Sequence, residues 1–295
     1  MALIISVLEQ GLIYAVMALG LYITYRILDF PDLTVDGSFP MGAAVAAVLI
    51  SRGVPALLTL PVAALAGAFV GLLTGLIHVR LHVRDLLSGI IMMTALYSVN
   101  LRIMGKANIP LYTSSTIFEN DLVNGIFTGE WDAWKITLIL LAIVAAVKLI
   151  LDWYMRTKSG FLLRAVGCND TIVTTLGIDK GRVRVTGLMI ANGLVALSGC
   201  LYAQQQRYAD VSMGTGTMVI GLASVIIGTS LFRKVRLWNV TTSVVIGSIL
   251  YKACVATAVH FLRNASDMKL ITAALFLVIL VLSMDKKRKV ASGDA

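Results

Sequence analysis

The chain has 295 residues, 58% of them hydrophobic and only 14% charged, and a mean hydropathy of +0.87; water-soluble domains carry roughly a quarter charged residues, so a soluble globular fold is excluded. A net charge of +9 would suit a nucleic-acid partner, but the cations are scattered through short loops between apolar runs and form no basic face, so membrane topology accounts for them and nucleic acid does not. Cys168, Cys200 and Cys254 are isolated thiols without CxxC spacing and support neither a disulfide framework nor a metal site.

A chain of this length has room for about nine spans of roughly 20 residues. Leu3 to Tyr25 is the first, and it lacks the basic start of a cleavable signal peptide, while Arg26 draws its far end toward the cytoplasm. The stretch Asp29 to Pro40 then carries Pro31, Pro40, Gly37 and the carboxylates Asp29, Asp32 and Asp36 ahead of the apolar run Met41 to Ile50. That run supplies only about 15 Å of helix against a hydrocarbon core of roughly 30 Å. A broken span completed by non-helical backbone is expected, tolerated only where protein or a water-filled cavity surrounds it; an ordinary loop before a short helix is the alternative. Asp36 and Ser38 are candidates for the translocation path.

Pro55 to Ile77 is a span rich in Ala and Gly, whose small side chains allow close helix contact. His78 and His82 follow at the spacing of a metal pair, but the interleaved Arg80 and Arg84 oppose a dication, so no metal site is expected. Leu86 to Met104 holds Ser88, Thr94, Tyr97, Ser98 and Asn100, more polarity than lipid favours, which makes Tyr97, Ser98 and Asn100 further pathway candidates. The segment 105–135 is the longest external one, with Glu119, Asp121, Glu130 and Asp132 and with Trp131 and Trp134 at the interface, a landing surface for a partner outside. Ile136 to Tyr154 crosses back, with Lys148 one helical turn from Asp152.

The segment 156–184 interrupts this apolar pattern with Arg156, Lys158, Arg164, Lys180, Arg182 and Arg184, a cationic excess that places it on the cytoplasmic side. Asn169 or Asp170 can cap a short helix through Thr171, Val173 and Leu176, and Gly177 stands where a left-handed C-terminal cap would end it. A solvated connector is the other reading of such a charged loop. Val185 to Gln204 then runs outward with Asn192 among small residues, another pathway candidate. Gly214 to Phe232 is glycine-rich enough for a re-entrant half-helix, and Arg233, Lys234 and Arg236 hold its end inside. Trp238 to Phe261 carries Lys252 near its middle, where an ionised side chain costs several kcal/mol unless it meets water or a partner. Lys252 is read as a pathway cation that attracts a carboxylate, as half of a buried pair with a carboxylate of Asp29 to Asp36, or as an outward snorkel. Met268 to Met284 returns, and Lys286 to Lys289 keep the tail 285–295 in the cytoplasm. The expected fold is one all-α polytopic transmembrane bundle over 1–295, with some spans broken or re-entrant, the N-terminus outside and the C-terminus inside.

No GxxxxGK[ST] loop occurs, and no Ser/His/Asp grouping or carboxylate pair, so no catalytic residue is expected and energy must enter through another chain. An ion-coupled secondary transporter is the rival class, since broken helices with polar residues also bind ions and solute. A membrane scaffold would need neither polar spans nor a docking loop.

Arg164-Ala165-Val166-Gly167-Cys168-Asn169, followed by Leu176-Gly177-Ile178, resembles the RAxGxN…LGI loop of the permeases of branched-chain amino acid and ribose type ABC importers, and the number and spacing of spans extend the resemblance over most of the chain. Asp32 to Pro40 is similar to the branch paired with tryptophan/tyrosine-type binding proteins and departs from the Asn-Phe-Ala-His-Gly-Asp form of the branched-chain amino acid permeases. The resemblance implies a type II ABC importer permease in a bacterial inner or plasma membrane. It implies that Arg164, Ala165, Gly167, Asn169, Asp170, Thr171, Leu176, Gly177 and Ile178 form the coupling helix that docks into the ATPase. It further implies a homodimer of permease copies in lipid, two cytoplasmic ATPase subunits and an extracytoplasmic substrate-binding protein, with ATP and Mg²⁺ on the ATPase and no cofactor on this chain. The implied solute is small: an amino acid, aromatic first, with branched-chain amino acids, sugars or nucleosides as alternatives.

Overall fold

A chain surrounded by hydrocarbon must satisfy its backbone N–H and C=O groups internally, so the apolar runs become helices. The computed structural model describes residues 2–126, 129–175, 177–232, 239–262 and 272–281. Among the described residues, seven helices are long and apolar enough to cross a membrane, and the shorter apolar helices Val35–Ser51 and Thr272–Val281 supply the remaining two of the expected spans. In chain order the helices are α1 Ala2–Leu21, α2 Val35–Ser51, α3 Ala56–Arg80, α4 Asp85–Met104, α5 Asp121–Ile126, α6 Lys135–Arg156, α7 Lys158–Cys168, α8 Asp170–Thr175, α9 Lys180–Gln206, α10 Thr217–Leu231, α11 Val240–Leu262 and α12 Thr272–Val281. Leu176, the basic residues Arg233, Lys234 and Arg236, and the tail 285–295 with Lys286 to Lys289 lie outside the described residues.

The bundle is built on α9, which packs against α1, α2 and α3. Close approach is what its neighbours' glycines are for: a Cβ on Gly42 of α2 or Gly71 of α3 would collide with the α9 carbonyls of Ala196 and Leu188. Small residues at helix contacts let dispersion and backbone dipoles act at short range where no hydrophobic drive exists between helices. The large apolar side chains turned outward, Leu65 and Phe69 of α3 and Leu149, Ile150 and Trp153 of α6, suit a chain whose solvent is lipid.

The break after α1 differs from the expected one. A π-helical turn, Tyr22–Ile27, ends α1, and irregular backbone runs to residue 34, but α2 begins at Val35 rather than after Pro40. The N–H groups of Gly37 and Ser38 both reach the Thr34 carbonyl, at 2.9 and 2.8 Å, and start the helix ahead of the proline. Pro40, lacking an N–H, leaves the Asp36 carbonyl without its helical donor, and Gly214 fills the space beside that carbonyl, where a Cβ could not fit. The result is 17 residues, about 26 Å of helix, instead of the ten-residue run read from the sequence. The non-helical residues Leu28, Phe30, Asp32 and Thr34 are all buried, as backbone outside a helix must be at membrane depth.

A second discontinuity precedes α10. After β2 the chain makes a 3-10 turn, Val211–Gly214, passes Gly216 at φ +83°, and starts α10 beside the first turn of α2. Phe39 of α2 stacks on Tyr14, midway along α1, with ring centroids 5.8 Å apart, so both helices begin inside the bundle.

The far end of α9 carries a two-stranded antiparallel pair, β1 Asn108–Pro110 with β2 Tyr208–Asp210, in the register Ile109 to Ala209. Gln204 accepts the Ile117 N–H at 3.1 Å, and Arg207 pairs with Glu119, so the segment 105–135 is tied down onto the end of α9. The opposite end carries α7 and α8.

Candidate functional site

The two helix starts meet at one carboxylate. Asp36, in the first turn of α2, accepts the N–H of Met218 at 2.8 Å, the N–H of Gly216 at 3.0 Å and the Thr217 hydroxyl at 3.0 Å. An acidic side chain at a helix N-terminus satisfies orphan donors and complements the positive end of the dipole; here it comes from a different helix. Asp36, expected on the pathway, is therefore engaged as the cap of α10.

Beneath it a second polar cluster holds the break against α9. Asn192 donates to Asp32 Oδ2 at 2.8 Å and to the Leu188 carbonyl at 3.1 Å, and accepts the Ser38 hydroxyl at 2.6 Å. Asp32 also takes the Thr34 N–H at 2.9 Å, and the Thr34 and Thr74 hydroxyls meet at 3.2 Å. On the other flank of α2, Asn100 of α4 donates to the Gly37 carbonyl at 3.1 Å. The pathway candidates thus separate: Ser38, Asn100 and Asn192 are fully buried ties within the chain, whereas Tyr97 and Ser98 are exposed on α4. Asp32 begins the Asp32 to Pro40 break expected along the path; it is engaged within the chain by Asn192 and by the Thr34 N–H.

Lys252 lies over the Tyr14 ring, 3.7 Å from its centroid, and is only 9% exposed. Its pairing with a carboxylate of Asp29 to Asp36 is overturned: Asp32 and Asp36 are engaged by Asn192 and by α10, and among the described residues no carboxylate is within ion-pair distance of Lys252. By contrast Lys148 meets Asp152 at 2.9 Å, and Asp152 also accepts the Thr241 hydroxyl at 2.7 Å, which joins α6 to α11.

The basic segment between α6 and α9 forms two helices rather than the single short one read from the sequence. Thr157 caps α7 through its hydroxyl, and Arg164 donates to the Met155 carbonyl. Leu163 and Val166 turn inward, and a Cβ on Gly167 would collide with the carbonyl of Ile27, so the end of α7 rests on the π-helical turn that leads into the break. Asn169, extended at φ −160°, separates α7 from α8, which contains Asp170 and Thr171. Gly177 follows α8 at φ +72°, its N–H bonding the Thr174 carbonyl at 3.0 Å while the Ile178 N–H bonds the Val173 carbonyl at 3.3 Å. This is the Schellman pattern, whose left-handed position favours glycine. At the other end of the bundle Asp210 accepts the Ser212 hydroxyl at 2.5 Å, which holds its carboxyl below the usual carboxylate range.

Residues 3–284 match the family described as branched-chain amino acid transport system / permease component. The chain is 42% identical to the tyrosine transport system permease protein of Clostridioides difficile, over 94% of this chain and 90% of that one. It is 25% identical to a ribose import permease of Haemophilus influenzae, over 95% and 84% of the two chains, and 27% identical to a probable branched-chain amino acid transport permease of Methanocaldococcus jannaschii, over 72% and 70%. No solved structure matches it. A polytopic helical bundle with buried breaks, matched over nearly its whole length by that family, belongs to it: the chain is a membrane permease of the branched-chain amino acid transport system / permease component family.

Proposed function

We propose that this chain is the permease subunit of an ATP-driven ABC importer, that two copies form the pore, and that two cytoplasmic ATPase subunits dock on α7 and α8 while an external binding protein delivers an aromatic amino acid to the opposite end. The choice of solute is supported by the tyrosine transport permease among the relatives. On this reading the N-terminus is outside, the C-terminus is in the cytoplasm, and ATP and Mg²⁺ belong to the ATPase.

The observation that carries the reading is the seat of α7 on the break, Gly167 against the Ile27 carbonyl. Interfaces of packed helices are displaced as units and do not deform continuously. A push on α7 and α8 from closing ATPases therefore reaches Ile27, then the irregular backbone to Thr34, then α2, and through Asp36 the start of α10. Tyr97, Ser98 and Thr94, exposed on one face of α4, are polar groups that lipid would not favour; they face the second copy and the path between the copies. The test is ATP-dependent uptake of tyrosine, tryptophan and phenylalanine by vesicles holding the permease with its ATPase and binding protein. Uptake that proceeds without ATP, or that excludes all three amino acids, overturns it.

A further inference from the structure

At the α7 end of the bundle a cavity of about 370 Å³ opens between the last turn of α6, α7, the π-helical turn and the start of α11. Arg156 of α6 and Arg164 of α7 both line it, with Tyr22 of the π-helical turn beside them. Among the described residues neither guanidinium has a carboxylate within ion-pair distance. Arg164 spends one N–H on the Met155 carbonyl and keeps the rest of its fork of donors. The wall also holds an acid, Asp152, but that carboxylate is committed: it pairs with Lys148 at 2.9 Å and accepts the Thr241 hydroxyl at 2.7 Å and the Asn239 amide at 3.2 Å. With Lys148 balancing Asp152, the two arginines leave the cavity positive. α11 starts at the same wall with Val240 and Thr241, and the positive end of its dipole adds to their charge.

The cavity lies where spans leave the hydrocarbon, since α6 ends at Arg156 and α11 begins at Val240. Leu149 and Trp153 of α6 are 65% and 70% exposed, and Arg156 follows them on the same face, because residues three and four apart on a helix are neighbours. That face is turned to lipid, with an indole near its edge as at other membrane interfaces. Arg156 therefore meets the bilayer surface and not the interior of the bundle. Met155 and Val240 add apolar wall beside the cations; a hydrated free phosphate would leave it unused, whereas the first carbons of an acyl chain would cover it. Basic pockets between membrane helices take acidic lipid headgroups on these physical grounds. We propose that this cavity binds the phosphate headgroup of an anionic membrane phospholipid, with Arg156 and Arg164 on its phosphodiester oxygens and Met155 and Val240 against the start of its acyl chains. The leaflet is the one at the α7 end, cytoplasmic on the importer reading above, and only that name rests on the reading. A lipid bound there bridges α6, α7 and α11 beside the turn that Gly167 rests against, and so braces the seat of α7.

The test is native mass spectrometry of the full chain released from vesicles of equal phosphatidylglycerol and phosphatidylcholine, with each lipid counted per chain. The parent is expected to retain phosphatidylglycerol in preference. Arg156→Gln should lower that preference about five-fold, the equivalent of the ~1 kcal/mol that one cation contributes at an anionic surface, and Arg156→Lys should restore it to within about two-fold. Val240→Trp, which fills the cavity at unchanged charge, should lower it as far. Arg182→Gln removes an exposed cation of α9 that does not line the cavity and should leave the preference as it is. If Arg156→Gln fails to fold, Val240→Trp decides alone. Equal retention of the two lipids by the parent overturns the site, as does an unchanged preference in a folded Arg156→Gln or Val240→Trp. An equal fall in Arg182→Gln reduces the effect to diffuse charge and overturns it too. If inorganic phosphate strips the preferred lipid and chloride at the same ionic strength does not, the cavity takes free phosphate and the lipid assignment falls. Loss of the preferred lipid when the ATPase is bound would put an acidic side chain of that partner in the cavity, against the proposal; failure to find any ATPase partner touches the importer reading and not this site.

Discussion

The Asp36 carboxylate accepts the Met218 backbone N–H at 2.8 Å across a sequence separation of 182 residues. Asp36 stands in the first turn of α2 and caps the first turn of α10, so one negative charge lies between two helix N-termini whose positive ends would otherwise face each other unscreened. The two discontinuous helices are thereby fastened at their starts, and a movement of either is felt by the other.

Asp36→Asn keeps the shape but removes the charge and one acceptor face. Hydrogen bonds to a charged group are worth about 1.5–3 kcal/mol, so the variant is expected to unfold several degrees lower in a thermal melt and to lose most of its ATP-driven uptake. A melt and an uptake rate equal to those of the parent would remove Asp36 from this role.

Asn192→Leu strips partners from both Asp32 and Ser38 inside the bundle. Leaving one oxygen of a buried carboxylate and a hydroxyl without their partner costs roughly 2–5 kcal/mol, and a large loss of folded yield is expected. The exchanged pair Asp32→Asn with Asn192→Asp retains an amide-to-carboxylate bond at the same place and should recover at least half of that yield. An exchange no better than the single Leu variant would show that the cluster matters for a reason other than this bond.

Cysteine labelling separates the two groups of pathway candidates. In a background with Cys168, Cys200 and Cys254 replaced, Ser98→Cys on the exposed face of α4 should react with a water-soluble thiol reagent, at a rate that changes with nucleotide. Ser38→Cys, fully buried beside Asn192, should stay unreactive in every state. Comparable rates at the two positions would contradict the burial of Ser38.

Gly167→Val and Gly177→Val act on α7 and α8 in different ways. The first drives a side chain into the Ile27 carbonyl and should uncouple ATP hydrolysis from uptake while the ATPase still binds. The second forces a β-branched residue into a left-handed conformation that costs L-residues about 1–2 kcal/mol, and should weaken co-purification with the ATPase. Normal co-purification and normal stimulation of hydrolysis by Gly177→Val would refute docking at α8.

The sequence by itself determined the class and the number of spans, because in a lipid solvent every long apolar run must close its own hydrogen bonds as a helix, a local requirement legible in hydropathy. It also determined the left-handed turn at Gly177 and the Lys148–Asp152 pair, both fixed by neighbours within one or two turns. Tertiary structure decided the rest. Apolarity cannot say which face of a span is inward when lipid and core are equally apolar, so the division of the polar residues into Ser38, Asn100 and Asn192 inside and Tyr97 and Ser98 outside came only with the packing of α2 against α4 and α9. Likewise α2 starts ahead of Pro40 because Gly214, distant in sequence, leaves room at the Asp36 carbonyl. Lys252 rests on Tyr14 and not on an acid of the break, where Asp32 is held by Asn192 and Asp36 by the start of α10.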